Sequence, residues 1–374
     1  MLKTRVYWRK SMKIQIFKDD LLNSIQIVQN IVNPKASLPI LSNILLEAKD
    51  NKLKLITTDL DVGILVSIPV NIQEPGSITI PARKIFEVIR DLPSGTVNIT
   101  VRKNNIVIIE SQKCQFKLMG LPKDEFPNLP TFEDKKVVKI EQKIFKEMLN
   151  LTYFSLSRDE TRYILNGILM EIKQDTIKLI STDGRRLAVV ERKLSTHTNQ
   201  EIKIVVPTKT IQELLRNLKD DDILSIVLGL NQVMFDLSGM LIISRLIEGE
   251  FPNYQQVIPQ PVDTKIKIDK GDFLLALKRA SLLSTPDYQA VKLEVFKNKM
   301  VVSKSTPDIG ESKEEIDIEY GAKELAAGFN PNYLIDVLKN LKSEDIEIEL
   351  TDSEKPCVIR QEGYVYVVLP MRLS

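Results

Sequence analysis

The feature that most constrains this chain is that it repeats itself. The stretch LSNILLEAKDNKLKLITTDL, from Leu41 to Leu60, returns from Leu165 as LNGILMEIKQDTIKLISTDGRRL: a strand, a polar turn, a second strand, then Thr-Asp. Asp183 stands 124 residues beyond Asp59, and a fainter third copy, KLEVFKNKMVVSKSTPD from Lys292, places Thr306 a further 123 residues on. The second half of each unit repeats as well. GSITIPARKIFEVIRDL and IKIVVPTKTIQELLRNL each read as an alternating strand, a proline at a helix start and an amphipathic helix; AAGFNPNYLIDVLKNL is the third version, with Pro331 in that role. The endings GLPKDEFPNLP and RLIEGEFPNYQQVIP share Glu-Phe-Pro-Asn, with Phe126 and Phe251 125 residues apart, and the last unit stops at VVLPMRLS.

Each unit therefore reads as helix, strands, helix, strands. First helices are expected over 19–31, 141–150 and 269–280, second helices over 83–91, 208–219 and 332–342. The strands alternate apolar and polar residues (Val97, Ile99, Val101; Ile346, Ile348, Leu350), the pattern of antiparallel sheet with one wetted face. At 374 residues and 43% hydrophobic, the chain exceeds one ordinary core. The expected class is α+β, with three repeated domains of two helices and antiparallel sheet at 12–134, 135–260 and 261–374. Residues 1–11, MLKTRVYWRKS, are basic and unpatterned, and Met12 opens the first strand; they read as an N-terminal extension, a tag or a mistaken start. The charged stretch Glu133 to Lys136 and the proline-bearing Pro259 to Asp263 read as linkers.

Composition removes several function classes. With 52 basic and 50 acidic residues the net charge is +2, so any surface facing nucleic acid must be local. Cys114 and Cys357 are the only cysteines, too few for a disulfide framework or a CxxC site, and they fit a reducing cytoplasm. No apolar run approaches a membrane span and no signal-peptide centre is present, so no membrane role is expected. The single histidine, His197, lies in the polar run STHTNQ and reads as a solvated loop residue. Asp59 and Asp61 in TTDLDVG are a poor metal site without further oxygens, and read as strand-end turn residues. Ser181 to Gly184 reads as a hairpin turn whose Asp-Gly supplies positive φ. With no phosphate-binding glycine loop and no nucleophile–base pair, neither an enzyme nor a cofactor is expected.

Five marks, in order, carry a family likeness: LPILSNILLE (Leu38 to Glu47), RYILNGILME (Arg162 to Glu171), STDGRRLAV (Ser181 to Val189), GEFPNY (Gly249 to Tyr254) and the terminal VVLPMRL. From Met12 to Leu373 the chain resembles the bacterial DNA polymerase III beta subunits, the DNA sliding clamps. The resemblance implies a head-to-tail homodimer whose six domains close into a ring, helices lining the hole and sheets outside. Three units per chain suit such closure. It further implies a non-catalytic processivity factor of the bacterial cytoplasm, associated with the nucleoid. Its implied partners are duplex DNA held without regard to sequence, the DNA polymerase III alpha subunit, the clamp loader and other proteins bearing a clamp-binding motif. A scaffold of the same fold that binds proteins without encircling DNA is the alternative.

The resemblance also assigns residues. If the helices line a hole, the six segments bring 13 basic and 10 acidic residues, a small excess. Asp19, Asp20, Glu141, Asp269 and Asp272 sit at helix starts, where they complement the macrodipole, and Arg90, Arg216, Lys219, Lys278, Arg279, Lys339 and Lys342 fall later. Weak phosphate attraction suits a sliding ring, since each neutralised phosphate adds friction without sequence information. By resemblance Lys35, Arg162 and Tyr163 face DNA, and Arg83, Arg216, Lys278 and Lys339 are expected to join them from the helices that would line the hole. Tyr163 either stacks or hydrogen-bonds at a primer-template junction or is a buried strand-end aromatic; Ile164 stands where the family commonly has a second tyrosine.

A peptide groove between the second and third domains is implied at Leu165, Thr182, Gly184, Arg185, Arg186, Leu187, Pro252, Val257, Val367, Leu369, Pro370, Met371 and Arg372. There Leu369 and Met371 would be adaptable fillers, Pro370 would preset the backbone, and Arg186 or Arg372 would hold a peptide carboxylate or carbonyl. VVLP reads equally as the last strand of the third unit, and a strand can serve as both. Arg185 replaces a common histidine, Gln256 a common arginine, and Ser374 extends the usual terminus. For ring closure Phe116 and Leu118 are expected to meet Leu282 and Leu283 of the neighbour, with Lys84 and Glu311, Glu314 or Glu315 at the rim.

Overall fold

The computed structural model describes residues 11–33, 38–130, 132 and 136–373, with backbone alone at 136 and 195–200. The extension before Ser11, Lys35, the stretch 133–135, the side chain of His197 and Ser374 lie outside the described residues.

All six expected helices are present, their ends moved by a residue or two. They are α1 (Lys18–Val28), α2 (Ala82–Asp91), α3 (Gln142–Thr152), α4 (Thr208–Asn217), α5 (Lys270–Ser281) and α6 (Pro331–Asn340). The last turn expected of α1 tightens into a 3₁₀ turn, Gln29–Ile31. Local chemistry sets the boundaries. The Asp269 side chain accepts from the Asp272 amide at 2.8 Å at the head of α5, and the Asn330 side chain accepts from the Asn332 amide at 3.0 Å at the head of α6. Pro331 takes the first position of α6, where its missing N–H is not needed. Arg90, Arg216, Lys278, Arg279 and Lys339 occupy last turns, against the negative ends of the dipoles.

The chain divides into two compact units, which cut across the middle repeat: residues 1–143 with 212–246, and 144–211 with 247–374. In the first, an eight-stranded sheet runs Lys136–Glu141, Ile223–Leu228, Gln232–Asp236, Met240–Arg245, Val62–Pro69, Lys52–Thr58, Asn43–Lys49, Gly76–Pro81. It joins the first repeat to the end of the second through the antiparallel register Met240↔Val66 to Ser244↔Val62. A five-stranded sheet runs Asn71–Glu74, Met12–Phe17, Thr96–Val101, Ile106–Ser111, Cys114–Met119. Helix α1 buries Leu21, Ile25 and Val28 and packs on α2, which buries Ala82, Ile85 and Ile89. Alternation does what the sequence suggests: Val97, Ile99 and Val101 are enclosed.

In the second unit one ten-stranded sheet runs Gly167–Thr182, Arg186–Pro207, Tyr364–Val368, Cys357–Gln361, Asp345–Glu349, Ile266–Asp269, Gly310–Glu319, Lys299–Thr306, Val291–Phe296, Leu325–Phe329. The register Arg186↔Val368 to Val190↔Tyr364 joins the middle repeat to the third. Helices α5 and α6 pack together, burying Phe273, Ala276 and Leu277 from one and Leu334, Val337 and Leu338 from the other. Among the described residues no helix is long and apolar enough to cross a membrane.

Candidate functional site

The hairpin between Gly167–Thr182 and Arg186–Pro207 turns through Asp183, Gly184 and Arg185. Gly184 takes a φ of 87°, open to glycine at little cost. The Asp183 carboxylate accepts from the amides of Arg185 at 2.9 Å and Arg186 at 3.0 Å, and the Thr182 hydroxyl accepts from the Gly184 amide at 3.0 Å. Behind this turn Leu187 pairs across strands with Val367, and Val367 with Val358. These three join Leu169, Ile180, Val205 and Tyr254 in one apolar cluster. The stretch after Phe251 closes the other side: Asn253 caps a 3₁₀ turn, Tyr254–Val257, by accepting from the Gln255 amide at 3.3 Å. The Tyr254 hydroxyl donates to Glu171 at 2.8 Å. Burial, reinforced by Glu171, raises its pKa above the ordinary range, so it stays a neutral donor.

The result is a depression of about 180 Å³ lined by Leu165, Thr182, Gly184, Arg185, Arg186, Leu187, Pro252, Val257, Val367 and Leu369, together with Asn253 and Tyr254. The last two were passed over in the sequence. Their signal was available, because they follow directly on the repeated Glu-Phe-Pro of GEFPNY. Val257 and Leu369 are substantially exposed, an apolar pair facing solvent at the rim.

One expectation is corrected here. Pro370, Met371 and Arg372 do not line the depression. The Leu369 amide donates to the Arg185 carbonyl at 2.9 Å, after which the Met371 amide donates to the Gly328 carbonyl at 2.8 Å, so the tail lies antiparallel beside the strand Leu325–Phe329. Gly328 permits this: a Cβ there would stand 2.6 Å from the Met371 carbonyl oxygen and 2.8 Å from Leu373. Arg186 lines the depression as expected, and is also held from behind. Its side chain is only 10% exposed and its guanidinium is engaged inward, by Asp183 at 2.9 Å, Asp336 at 2.8 Å and the Phe154 carbonyl. Burial opposes its charge, but Tyr366, Asp336 and Asp183 favour it, and the net effect raises its pKa. Three of its five N–H donors are thereby committed away from an incoming peptide. Arg185 and Arg372 are exposed and make no ion pair among the described residues.

The cationic residues expected to face DNA lie in different settings. Tyr163 and Arg162 belong to a 3₁₀ segment, Glu160–Leu165, that ends at the depression. Tyr163 is 58% exposed, which removes the buried strand-end reading, and its hydroxyl lies against the turn at Gly249. Arg162 lies beside Asp159 at 3.8 Å and over Gly184. Arg83 pairs with Glu87 at 2.9 Å on α2, as does Lys84 at 2.9 Å, and Arg216 pairs with the enclosed Glu213 on α4. Lys278 and Lys339 are exposed and make no ion pair among the described residues. The carboxylate of Asp59 accepts from the amides of Asp61 at 3.0 Å and Val62 at 2.7 Å, a turn arrangement. Among the described residues no group of three or more His, Cys, Asp or Glu is placed to hold a metal.

The residues expected at a dimer interface sit on two open edges, one in each unit. Cys114–Met119 is the outer strand of its sheet, pairing only with Ile106–Ser111. It exposes Phe116 and Met119, with Leu118 half-buried; Met119 was not anticipated. Gly310–Glu319 pairs with Lys299–Thr306 from Gly310 to Asp317, but meets Ile266–Asp269 only at Ile318 and Glu319. Beside it, Leu282 at the end of α5 is 81% exposed and Leu283 half-buried. Glu314 pairs with Arg279, and Glu315 with Lys299 at 3.3 Å.

Residues 12–130, 139–253 and 255–372 match, in that order, family models of the N-terminal, central and C-terminal domains of the DNA polymerase III beta subunit. The beta sliding clamp of Salmonella typhimurium is 33% identical over 371 residues, covering 97% of this chain and all 100% of its own. The solved sliding clamp of Bacillus subtilis matches with a TM-score of 0.94 at 34% identity. A Pseudomonas aeruginosa sliding clamp bound to griselimycin matches with a TM-score of 0.93 at 30% identity. Each structure covers 97% of this chain over 100% of its own.

Proposed function

The chain belongs to the bacterial DNA polymerase III beta subunit family, the sliding clamps, and from that premise we propose that it is a non-catalytic processivity factor: two copies close head to tail around duplex DNA and tether replication proteins to it. The observation that carries the tethering half is the exposed apolar depression between the Asp183–Arg185 turn and the Tyr254–Val257 turn. An apolar pocket with a few fixed polar groups at its rim is the form that linear peptide motifs take up. Leu165, Leu187 and Val367 form its floor, and the exposed Val257, Leu369 and Arg185 meet the incoming chain. The occupants are the DNA polymerase III alpha subunit, the clamp loader and other proteins with a clamp-binding motif, acting in the cytoplasm at the nucleoid.

Ring closure is supported by the two open strand edges. Cys114–Met119 and Gly310–Glu319 each carry unpaired backbone groups and adjoin exposed apolar side chains, the combination that β-augmentation by a second copy satisfies. A contact that uses a different surface on each partner closes on itself when the rotation fits. Lys278 and Lys339, without an ion pair among the described residues, would face the duplex, with Arg83, Arg162 and Arg216 contributing from their present partners and Tyr163 beside them. Each repeat is a domain of that ring: 12–134, 135–260 and 261–374.

Griselimycin tests the groove, since the related Pseudomonas aeruginosa clamp binds it. In calorimetric titration we expect the native protein to bind it, and Leu369→Asp or Val257→Asp to weaken binding at least tenfold. Both positions are exposed, so folding survives the change. No binding by the native protein, or equal binding by all three, would count against this depression as the partner site.

A further inference from the structure

We propose that Arg186 and Asp336 are positioning residues of the groove, an ion pair across 150 positions of sequence that braces the groove's rim against helix α6, an element that does not line it. The inference rests on the groove reading above and deepens it.

The geometry is a continuous path. Asp336 on α6 accepts from Nη1 of Arg186 at 2.8 Å; Nε of Arg186 donates to Asp183 at 2.9 Å; and Nη2 donates to the Phe154 carbonyl. Asp183 in turn holds the amides of Arg185 and Arg186, and the Arg185 carbonyl holds the amide of Leu369. Both walls of the rim, the turn and Leu369, thus hang on one guanidinium. Aromatic rings fix its plane: its carbon lies 4.4 Å from the Tyr333 ring centroid and 5.7 Å from that of Phe154. The platform is itself tied together, since the Tyr366 hydroxyl donates to the Tyr333 carbonyl at 2.8 Å and its ring meets Phe154 edge-on at 5.5 Å.

Only arginine serves here. Its planar fork reaches three acceptors in different directions while stacking on a ring, and lysine's point charge cannot. Removing Asp336 leaves a largely buried charge with Asp183 as its one remaining carboxylate, so the guanidinium shifts toward it, and the Asp183 turn shifts with it. Asp336 is the informative position, because its side chain is 35% exposed and lies outside the buried face of α6 formed by Leu334, Ile335, Val337 and Leu338. Its loss perturbs the strut without opening the core.

The test uses the full-length protein with griselimycin as probe, measuring affinity by calorimetry and, without any ligand, hydrogen exchange at the Arg185 and Arg186 amides. We expect Asp336→Ala to weaken binding about tenfold and to speed that exchange. Asp336→Glu should restore most of both, Arg186→Lys should not, and Asp336→Ala added to Arg186→Lys should cost nothing further, because the pair acts as one unit. Asn332→Ala, an exposed change on the same helix, serves as the control and leaves both readouts at native values. Native affinity and native exchange in Asp336→Ala, while Leu369→Asp loses binding, would overturn the strut and leave the groove. If Leu369→Asp binds normally, the groove reading fails, and the exchange measurement alone then decides the strut.

Discussion

Cys357 is fully enclosed, and burial, with Glu349 adding to it, pushes its thiol from an ordinary 9.0 up to about 12. The folded protein therefore keeps a proton that the unfolded chain releases above about pH 9. The sign follows: this thiol's contribution to stability is intact below about 9 and is lost as pH rises toward about 12. We expect Cys357 to stay unmodified by a thiol reagent in the native protein at neutral pH and to react once guanidinium unfolds it. Rapid native labelling at Cys357 would contradict its enclosure. At this scale the sequence was informative where chemistry is local. Asp183, Gly184 and Asp59 could be read as turn residues from their neighbours alone, and Pro331 as a helix start. The inward bonds of Arg186 could not be read, because its partners Asp336 and Phe154 are brought to it by tertiary folding, and an arginine beside a groove looks the same whatever lies behind it.

Helices and strands were legible because period and repeat agreed three times over, each copy correcting the others. The C-terminal tail was not. VVLP reads as a strand, and it is one as far as Val368, but the course of Pro370 to Leu373 is set by the missing side chain at Gly328 in a distant strand. Edge strands carry the oligomer prediction. Because the proposed contact is heterologous, damaging either edge alone is enough. We expect Phe116→Asp and Leu282→Asp each to sediment as monomers with thermal stability near that of the native protein, since both side chains are exposed in the protomer. A dimer that persists in both variants would remove these edges from the interface.

For the molecule as a whole, the lack of strong charge is itself informative. A net charge of +2, with Arg83 and Arg216 held by their own glutamates, leaves little electrostatic grip on phosphate. On this account retention on DNA comes from topology, and salt changes it little. A scaffold that bound DNA through surface cations would instead release as salt rises, whatever the ends of the DNA. The deciding measurement is retention of the protein on nicked circular DNA, after loading by a clamp loader, at high salt, before and after the circle is cut. The account requires that the protein stay on the circle and leave only when linearisation gives it an end; loss from circular and linear DNA alike as salt rises would contradict it.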